Sequence, residues 1–440
     1  MLANREDWVR DDREAHDLQV RRQVFTEPAL FEREMVEIFE RCWIFLCLES
    51  QIPRAFDFMT CSIGRQPVVV TRGKDGEINA LLNSCRHKGA KVARSATGNR
   101  RYLVCPYHGW AYDCSGRSVS IKDDGPACYG SRFSGESHDL VPVPRVESYK
   151  GLVFGCLDPA APSLIDYLGE ARPFVDLVMD QGAEGMEFVP GRTDFAYRAN
   201  WKLQMENGSD FYHLTSTHPT FVDIVSRRQA GESQNRQVRS PDFNKRLKKR
   251  AGMFTFEHGH SLIWAENPAP DDRPLHGQWD DLVRRVGPVK AEWMLNLRNL
   301  TIFPSLQLAD STSLILRAIQ PLAVDRTEVR LHCLAPVGEP VDLREKRIRQ
   351  HEDFFNVSGL ATPDDATCYE DCQEGFAATR DLDWQQGYAR GQGLTREGSN
   401  AVAELFGARP ETSVEGDFLV QNETVFHAFY REWARRIEGV

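Results

Sequence analysis

Two short segments constrain this chain more than anything else in it: Cys85-Arg86-His87 and, after 17 intervening residues, Cys105-Pro106-Tyr107-His108. Each pair mixes one thiol with one imidazole across a tight loop, so the fold has to bring two loop tips to one place. The remaining cysteines agree with a metal reading. There are eleven in all, an odd number scattered along 440 residues whose charged N-terminal stretch does not read as a secretory leader, which predicts reduced thiols or metal ligands and not a disulfide framework.

The length allows two or more domains, and 41% hydrophobic with 27% charged residues is an ordinary globular composition. A net charge of −10 offers no field for phosphate backbones or an anionic bilayer, so no nucleic-acid partner is expected. The chain is charged from Arg5 onward and has no run approaching the roughly 18 apolar residues of a membrane span. A cytoplasmic protein with no membrane contact is expected.

Residues 1–42 place Leu30, Phe31, Met35, Ile38 and Phe39 at helical spacing, which predicts N-terminal helices packed on a later domain. From Trp43 the texture changes to short β-branched runs, such as residues 67–72, bounded by turns such as residues 74–77, so residues 43–157 are expected to form an all-β domain. The proline-containing segment 157–163 predicts a linker or domain boundary. Residues 158–440 read as a larger α+β domain: strand-like runs at 313–320 and 328–336 predict an antiparallel sheet, and residues 423–437 an amphipathic helix. Between 226 and 251 the chain is polar and basic without periodicity, which predicts a surface loop or a lid over a site mouth.

Two thiolates and two imidazoles suit a tetrahedral zinc, or a Rieske [2Fe-2S] cluster in which two Cys bind one iron and two His the other. The mixed pairs favour the cluster, because each loop tip then offers one ligand to each iron, whereas zinc ribbons usually pair like with like. The flanking residues NSCRHKGA (83–90) and CPYHGWAYDCSG (105–116) resemble the two ligand loops of the Rieske family. That resemblance implies that Cys85, His87, Cys105 and His108 hold the cluster. Backbone N–H groups and the Tyr107 hydroxyl would donate to its sulfurs, and Trp110 would shield it.

His213 and His218 form a second constellation. Two His and one carboxylate on one face of Fe(II) leave positions open for O2 and substrate, although HxxxxH alone is weak and two unrelated histidines would also explain it. The whole run NWKLxxENxxDxYHxxxxH from Asn200 to His218 resembles the catalytic motif of Rieske ring-hydroxylating oxygenases. The resemblance extends from about residue 20 to the C-terminus and is closest in texture to the α subunits of benzoate, 2-halobenzoate and anthranilate dioxygenases.

The resemblance implies an all-β Rieske domain plus a catalytic domain with an antiparallel sheet surrounded by helices. It implies a mononuclear Fe(II) held by His213, His218 and Asp365, the last placed six residues after Gly359, with Asp364 the alternative. Thr362-Pro363-Asp364-Asp365 is equally a good helix start. Asn207 would sit near the iron, or serve only as a turn residue. Asp210 would bond His213 and reach His108 of the partner subunit across a trimer interface, or act as a helix cap. Leu214, Phe355, Leu360 and Ala361 would line an apolar pocket, or be plain core. Arg317, inside an apolar strand, would be the forked partner of a substrate carboxylate, or a structurally paired Arg.

The expected function is O2- and NAD(P)H-dependent cis-dihydroxylation of an aromatic carboxylate, with electrons arriving through a separate reductase, with or without a ferredoxin. A small β subunit and an α3 or α3β3 assembly are expected beside it. Two alternatives remain open at this point: a salicylate hydroxylase-like ring monooxygenase, and a non-catalytic Rieske electron carrier, which would lack His213, His218 and Asp365.

Overall fold

A computed structural model describes residues 8–125, 128–229, 249–378, 380–417 and 422–439. The chain divides into two units, residues 39–164 and residues 1–38 with 165–440, so the smaller is inserted in the sequence of the larger.

In the larger unit, the N-terminal segment is not helical throughout. Val9–Asp12 and Asp17–Arg21 pair as an antiparallel hairpin, which Trp384–Gln385 extends. Leu18 and Val20 alternate with polar residues at the period of two that a half-buried strand needs, and the apolar residues at helical spacing begin only at Leu30. They belong to helix α1 (Pro28–Glu34), which starts with Pro28 at its first turn and ends against a π-turn, Met35–Phe39.

Ten described strands then form one antiparallel sheet, whose central members are Leu306–Asp310, Leu297–Ile302 and Leu314–Ala323. Leu297–Ile302 is buried at every position, as expected of a strand covered on both faces. Cross-strand partners share a face, so the register Thr301 to Gln307 to Arg317 to Leu331 puts Arg317 on the same side as Asn299.

Helix α2 (Trp201–Asn207) is capped by Asn200, whose side chain accepts from Lys202 N. Its C-terminal end approaches the sheet closely, because Gln307 Nε2 donates to the carbonyls of Gln204 (3.0 Å) and Met205 (3.2 Å). Gly208 permits this approach: a Cβ there would sit 1.9 Å from Gln307 Nε2. The short helix α3 (Leu214–Thr217), α4 (Val341–Asp353), α5 (Thr362–Gly375) and the C-terminal α6 (Phe426–Glu438) complete the elements used below. A helix at Pro219–Gln229 runs into the polar segment, and a strand leaves it at Arg250. The loop or lid expected between them falls on residues 230–248, outside the described residues.

The smaller unit is built from three antiparallel sheets. Asp57–Ile63, Gln66–Arg72, Ile78–Leu82 and Thr97–Asn99 form one; Tyr102–Val104, Ala111–Asp113 and Ser118–Ser120 a second; and Ile44–Leu48, Arg145–Tyr149 and Leu152–Cys156 the third. The segment 157–163 lies at the boundary between the two units, which falls after residue 164, but it is no free linker. Trp43 Nε1 donates to the carbonyl of Pro162 (3.0 Å) and Arg145 Nη1 to that of Ala161 (2.6 Å). Among the described residues no helix is long and apolar enough to cross a membrane.

Candidate functional site

The two Cys/His loops are copies of one turn. Cys85 N donates to Ala90 O (2.9 Å) and Gly89 N to Cys85 O (2.9 Å); Cys105 N donates to Trp110 O (2.8 Å) and Gly109 N to Cys105 O (3.0 Å). Gly89 and Gly109 both have φ +75°, a left-handed conformation that only glycine adopts freely. The two turns bring the rings of His87 and His108 to 4.3 Å centroid separation, with both cysteines buried.

His87 Nδ1 is buried with no hydrogen-bond partner, a state that a metal bond relieves.

Trp110 is buried and stacks on His87 at 5.1 Å. The Tyr107 hydroxyl does not serve the cysteines as expected, because Tyr107 is 61% exposed with its ring against His108. Tyr112, two residues beyond the loop, takes that place: its hydroxyl lies 3.2 Å from Cys85 Sγ and accepts from Arg86 N. Burial, then the bond with Cys85, pushes its pKa up and keeps the proton on the oxygen. Alternation in the strand Ala111–Asp113, with only Tyr112 fully buried, is the sequence signal for it. Tyr112→Phe is expected to lower the cluster's reduction potential by about 50 mV, the equivalent of one hydrogen bond of about 1 kcal/mol in a one-electron couple. Redox titration followed by circular dichroism reads this, and an unchanged potential would place the hydroxyl's effect elsewhere.

In the larger unit His213 stands at the start of α3 and His218 immediately after it. Asp365 lies in the first turn of α5, and its N donates to Ala361 O at 3.1 Å. His213, His218 and Asp365 form the one group of three metal-binding side chains found among the described residues, with ligand atoms within 4.8 Å of one another. The Nε2 atoms of His218 and His213 lie 3.1 and 3.5 Å from Asp365 Oδ1. Each ring is held from behind through Nδ1, His213 by Asp210 Oδ2 (3.0 Å) and His218 by Asp364 Oδ2 (3.4 Å). Carboxylates in that position fix the tautomer that presents Nε2 to a metal. Asn207 Nδ2 donates to Asp365 Oδ1 (3.1 Å) and lies 3.2 Å from His213 Nε2. Burial works against charge on His213, but the hydrogen bond and charge of Asp210, with Asp365, outweigh it and raise its pKa. The site therefore has a negative field that suits a cation.

A cavity of about 90 Å³ opens beside this triad. Leu214, Phe211, Phe354 and Phe355 supply its apolar wall, and Arg317, Arg273, Asn299 and Gln350 its polar one. Leu360 and Ala361 do not reach it. They pack with Phe221, Phe354 and Ile315 in the core behind it. The two arginines differ: Arg273 is paired with buried Asp310, whereas Arg317 has no ion pair among the described residues. Arg317 is 4% exposed, its guanidinium stands 4.9 Å over the Phe355 ring, and its Nε has no partner. Burial lowers its pKa, since desolvation opposes the charge.

A Rieske loop pair in one unit and a two-His, one-carboxylate group beside a cavity in the other define a two-site redox enzyme. Comparison with known families agrees: the Rieske [2Fe-2S] domain model matches residues 42–146, and the ring hydroxylating alpha subunit (catalytic domain) model matches 182–439. The chain belongs to the ring-hydroxylating alpha-subunit family, and with it carries a Rieske cluster domain and a mononuclear-iron catalytic domain.

It is 39% identical to the toluate 1,2-dioxygenase subunit alpha of Pseudomonas putida, over 98% of this chain and 97% of that one. It is 42% identical to the anthranilate 1,2-dioxygenase large subunit of Acinetobacter baylyi, over 81% and 77%. Among solved structures, naphthalene 1,2-dioxygenase from Rhodococcus sp. bound to indole superposes with a TM-score of 0.80 at 28% identity, covering 95% of this chain and 94% of that one.

Proposed function

We propose that this chain converts an aromatic carboxylate to its cis-diol, with His213, His218 and Asp365 holding the mononuclear iron and Arg317 receiving the substrate carboxylate. Arg317 carries the substrate class. A buried guanidinium with no ion pair in contact, supported only by the more distant charge of Asp365, is costly, and its forked donors match a carboxylate. The names of its relatives, toluate and anthranilate dioxygenases, point the same way.

When bound, the cluster supplies electrons singly and the mononuclear iron activates O2. The chain's own residues do the positioning. Cys85, His87, Cys105 and His108 are the cluster ligands in this reading. Asp210 and Asp364 hold the two His rings, and Asn207 ties Asp365 to His213. Leu214, Phe354 and Phe355 clamp the ring and keep water from the reacting face.

We assign Asp210 a second task, linking His213 to the cluster of a partner subunit in an α3 or α3β3 assembly. Its carboxylate holds His213 yet stays 17% exposed, so an edge remains for another donor. A reductase drawing on NAD(P)H, with or without a ferredoxin, would feed this assembly. The proposed cytoplasmic location suits eleven cysteines that form no disulfide.

The test is product analysis of the reconstituted system with benzoates and neutral rings under isotopically labelled O2. Both labelled atoms should appear in a cis-diol acid. Arg317→Met should lower kcat/KM for benzoate about 10- to 150-fold, the value of a hydrogen bond to a charged group, and lower it less for toluene. Equal losses on the two substrates would give Arg317 a folding role instead.

A further inference from the structure

The cavity contains a second polar feature that neither the metal triad nor Arg317 uses. Gln350, on α4, is 4% exposed and lines the cavity. Its Nε2 donates to the carbonyl of Asp272 at 2.9 Å, which fixes the amide with Oε1 turned the other way. That Oε1 has no hydrogen-bond partner among the described residues. Asn299, from the floor strand of the sheet, is 9% exposed, lines the same cavity and likewise leaves Oδ1 without a partner. Two residues that line one cavity thus each hold a buried side-chain oxygen with no donor to meet it among the described residues.

Such an oxygen on a residue that lines a cavity can be met by a bound water or by a donor on a ligand. Gln350 is one helical turn before Phe354, and Phe355 is the ring under Arg317. The unmatched acceptor and the unmatched guanidinium therefore border the same aromatic wall.

We propose that Gln350, with Asn299, forms a donor-recognising subsite that selects aromatic acids carrying a ring amino or hydroxyl group. This rests on the reading of Arg317 as the carboxylate partner and narrows it. The carboxylate lies at Arg317, and a ring N–H or O–H donates to Gln350 Oε1. A methyl group of the same size leaves that oxygen buried and unpaired. Sites built to hydrogen-bond a substrate group discriminate strongly against analogues that lack it.

The experiment measures kcat/KM of the reconstituted enzyme for ortho and meta amino-, hydroxy- and methylbenzoates, with toluene as the neutral control. At least one amino or hydroxy acid should exceed its methyl isostere by about tenfold or more in the wild type. Gln350→Met, checked for an intact Rieske spectrum, should bring that ratio close to one. Equal values for donor and methyl acids in the wild type, or an unchanged ratio in Gln350→Met, overturn the subsite and leave the aromatic-acid reading standing. Turnover of toluene ahead of every acid overturns both.

Discussion

Asp365→Ala is expected to empty the mononuclear iron site and reduce product formation to background while leaving the Rieske spectrum intact. Asp365 Oδ1 is the only carboxylate oxygen that approaches the Nε2 atoms of both His213 and His218 among the described residues. Without it, two neutral imidazoles have no charge to match a divalent ion. Asp364→Ala removes a carboxylate from the back of His218 instead, and should weaken iron retention by about 10- to 100-fold, the usual cost of losing a carboxylate behind a metal-bound histidine. Asp210→Ala removes the carboxylate behind His213 and should weaken iron retention to a similar degree, and the variant reloaded with iron should still lose product in a single turnover of reduced protein. Iron analysis beside single-turnover product yield separates the three. Loss of iron in Asp364→Ala with retention in Asp365→Ala would reverse the assignment within the pair.

The second large effect is on stability. Glu34→Ala should destabilise the larger unit by about 3–5 kcal/mol, the range for leaving one member of a buried pair uncompensated. Glu34 ends α1 and is fully buried. It accepts from Lys202 Nζ at 2.6 Å, Trp201 Nε1 at 2.8 Å and Trp433 Nε1 at 2.7 Å. Lys202 is also fully buried, among the rings of Phe25, Trp201 and Trp433. Burial lowers its pKa, and Glu34 opposes that shift. Adding Lys202→Met to Glu34→Ala should recover a large part of the loss, because no charge is then stranded. Urea midpoints of the single and double variants decide it; simple additivity would show that the pair does not act as one.

The candidate metal sites were legible because the side chains proposed as ligands sit at short, fixed spacings that survive without knowledge of the fold. Cys85 to His87, Cys105 to His108 and His213 to His218 are local patterns, and local patterns are what a sequence displays. The choice between Asp364 and Asp365 was harder. Neighbours on a helix point about 100° apart, so only packing decides which carboxylate faces inward. Asp365 does, with 8% of its side chain exposed against 42% for Asp364. What the sequence hid in Asp364 was a different job, holding the back of His218.

The same limit explains the pocket. Arg317 stood out as a charge inside an apolar strand, and Leu214 and Phe355 line the cavity. Leu360 and Ala361 have the same apolar character and pack behind it, because apolar residues on the two sides of a wall look alike in one dimension. Gln350 and Asn299 carried no periodic or motif signal. The N-terminal hairpin was missed because its apolar residues, Leu18 and Val20, are too few to outweigh the helical pattern that follows them.

Glu34 has a further consequence, which appears while the chain is being made. Its bond to Trp433 spans 399 residues, so at about 5–20 residues per second α1 waits roughly 20–80 s on the ribosome for its last partner. The unit between, residues 39–164, is continuous and is complete long before then. An emerging chain therefore has its electron-transfer unit able to fold early, while the α1 edge of its oxygen-activating unit still exposes Leu30, Phe31 and Met35, residues buried in the finished fold. Chaperones that bind apolar segments would find their target there.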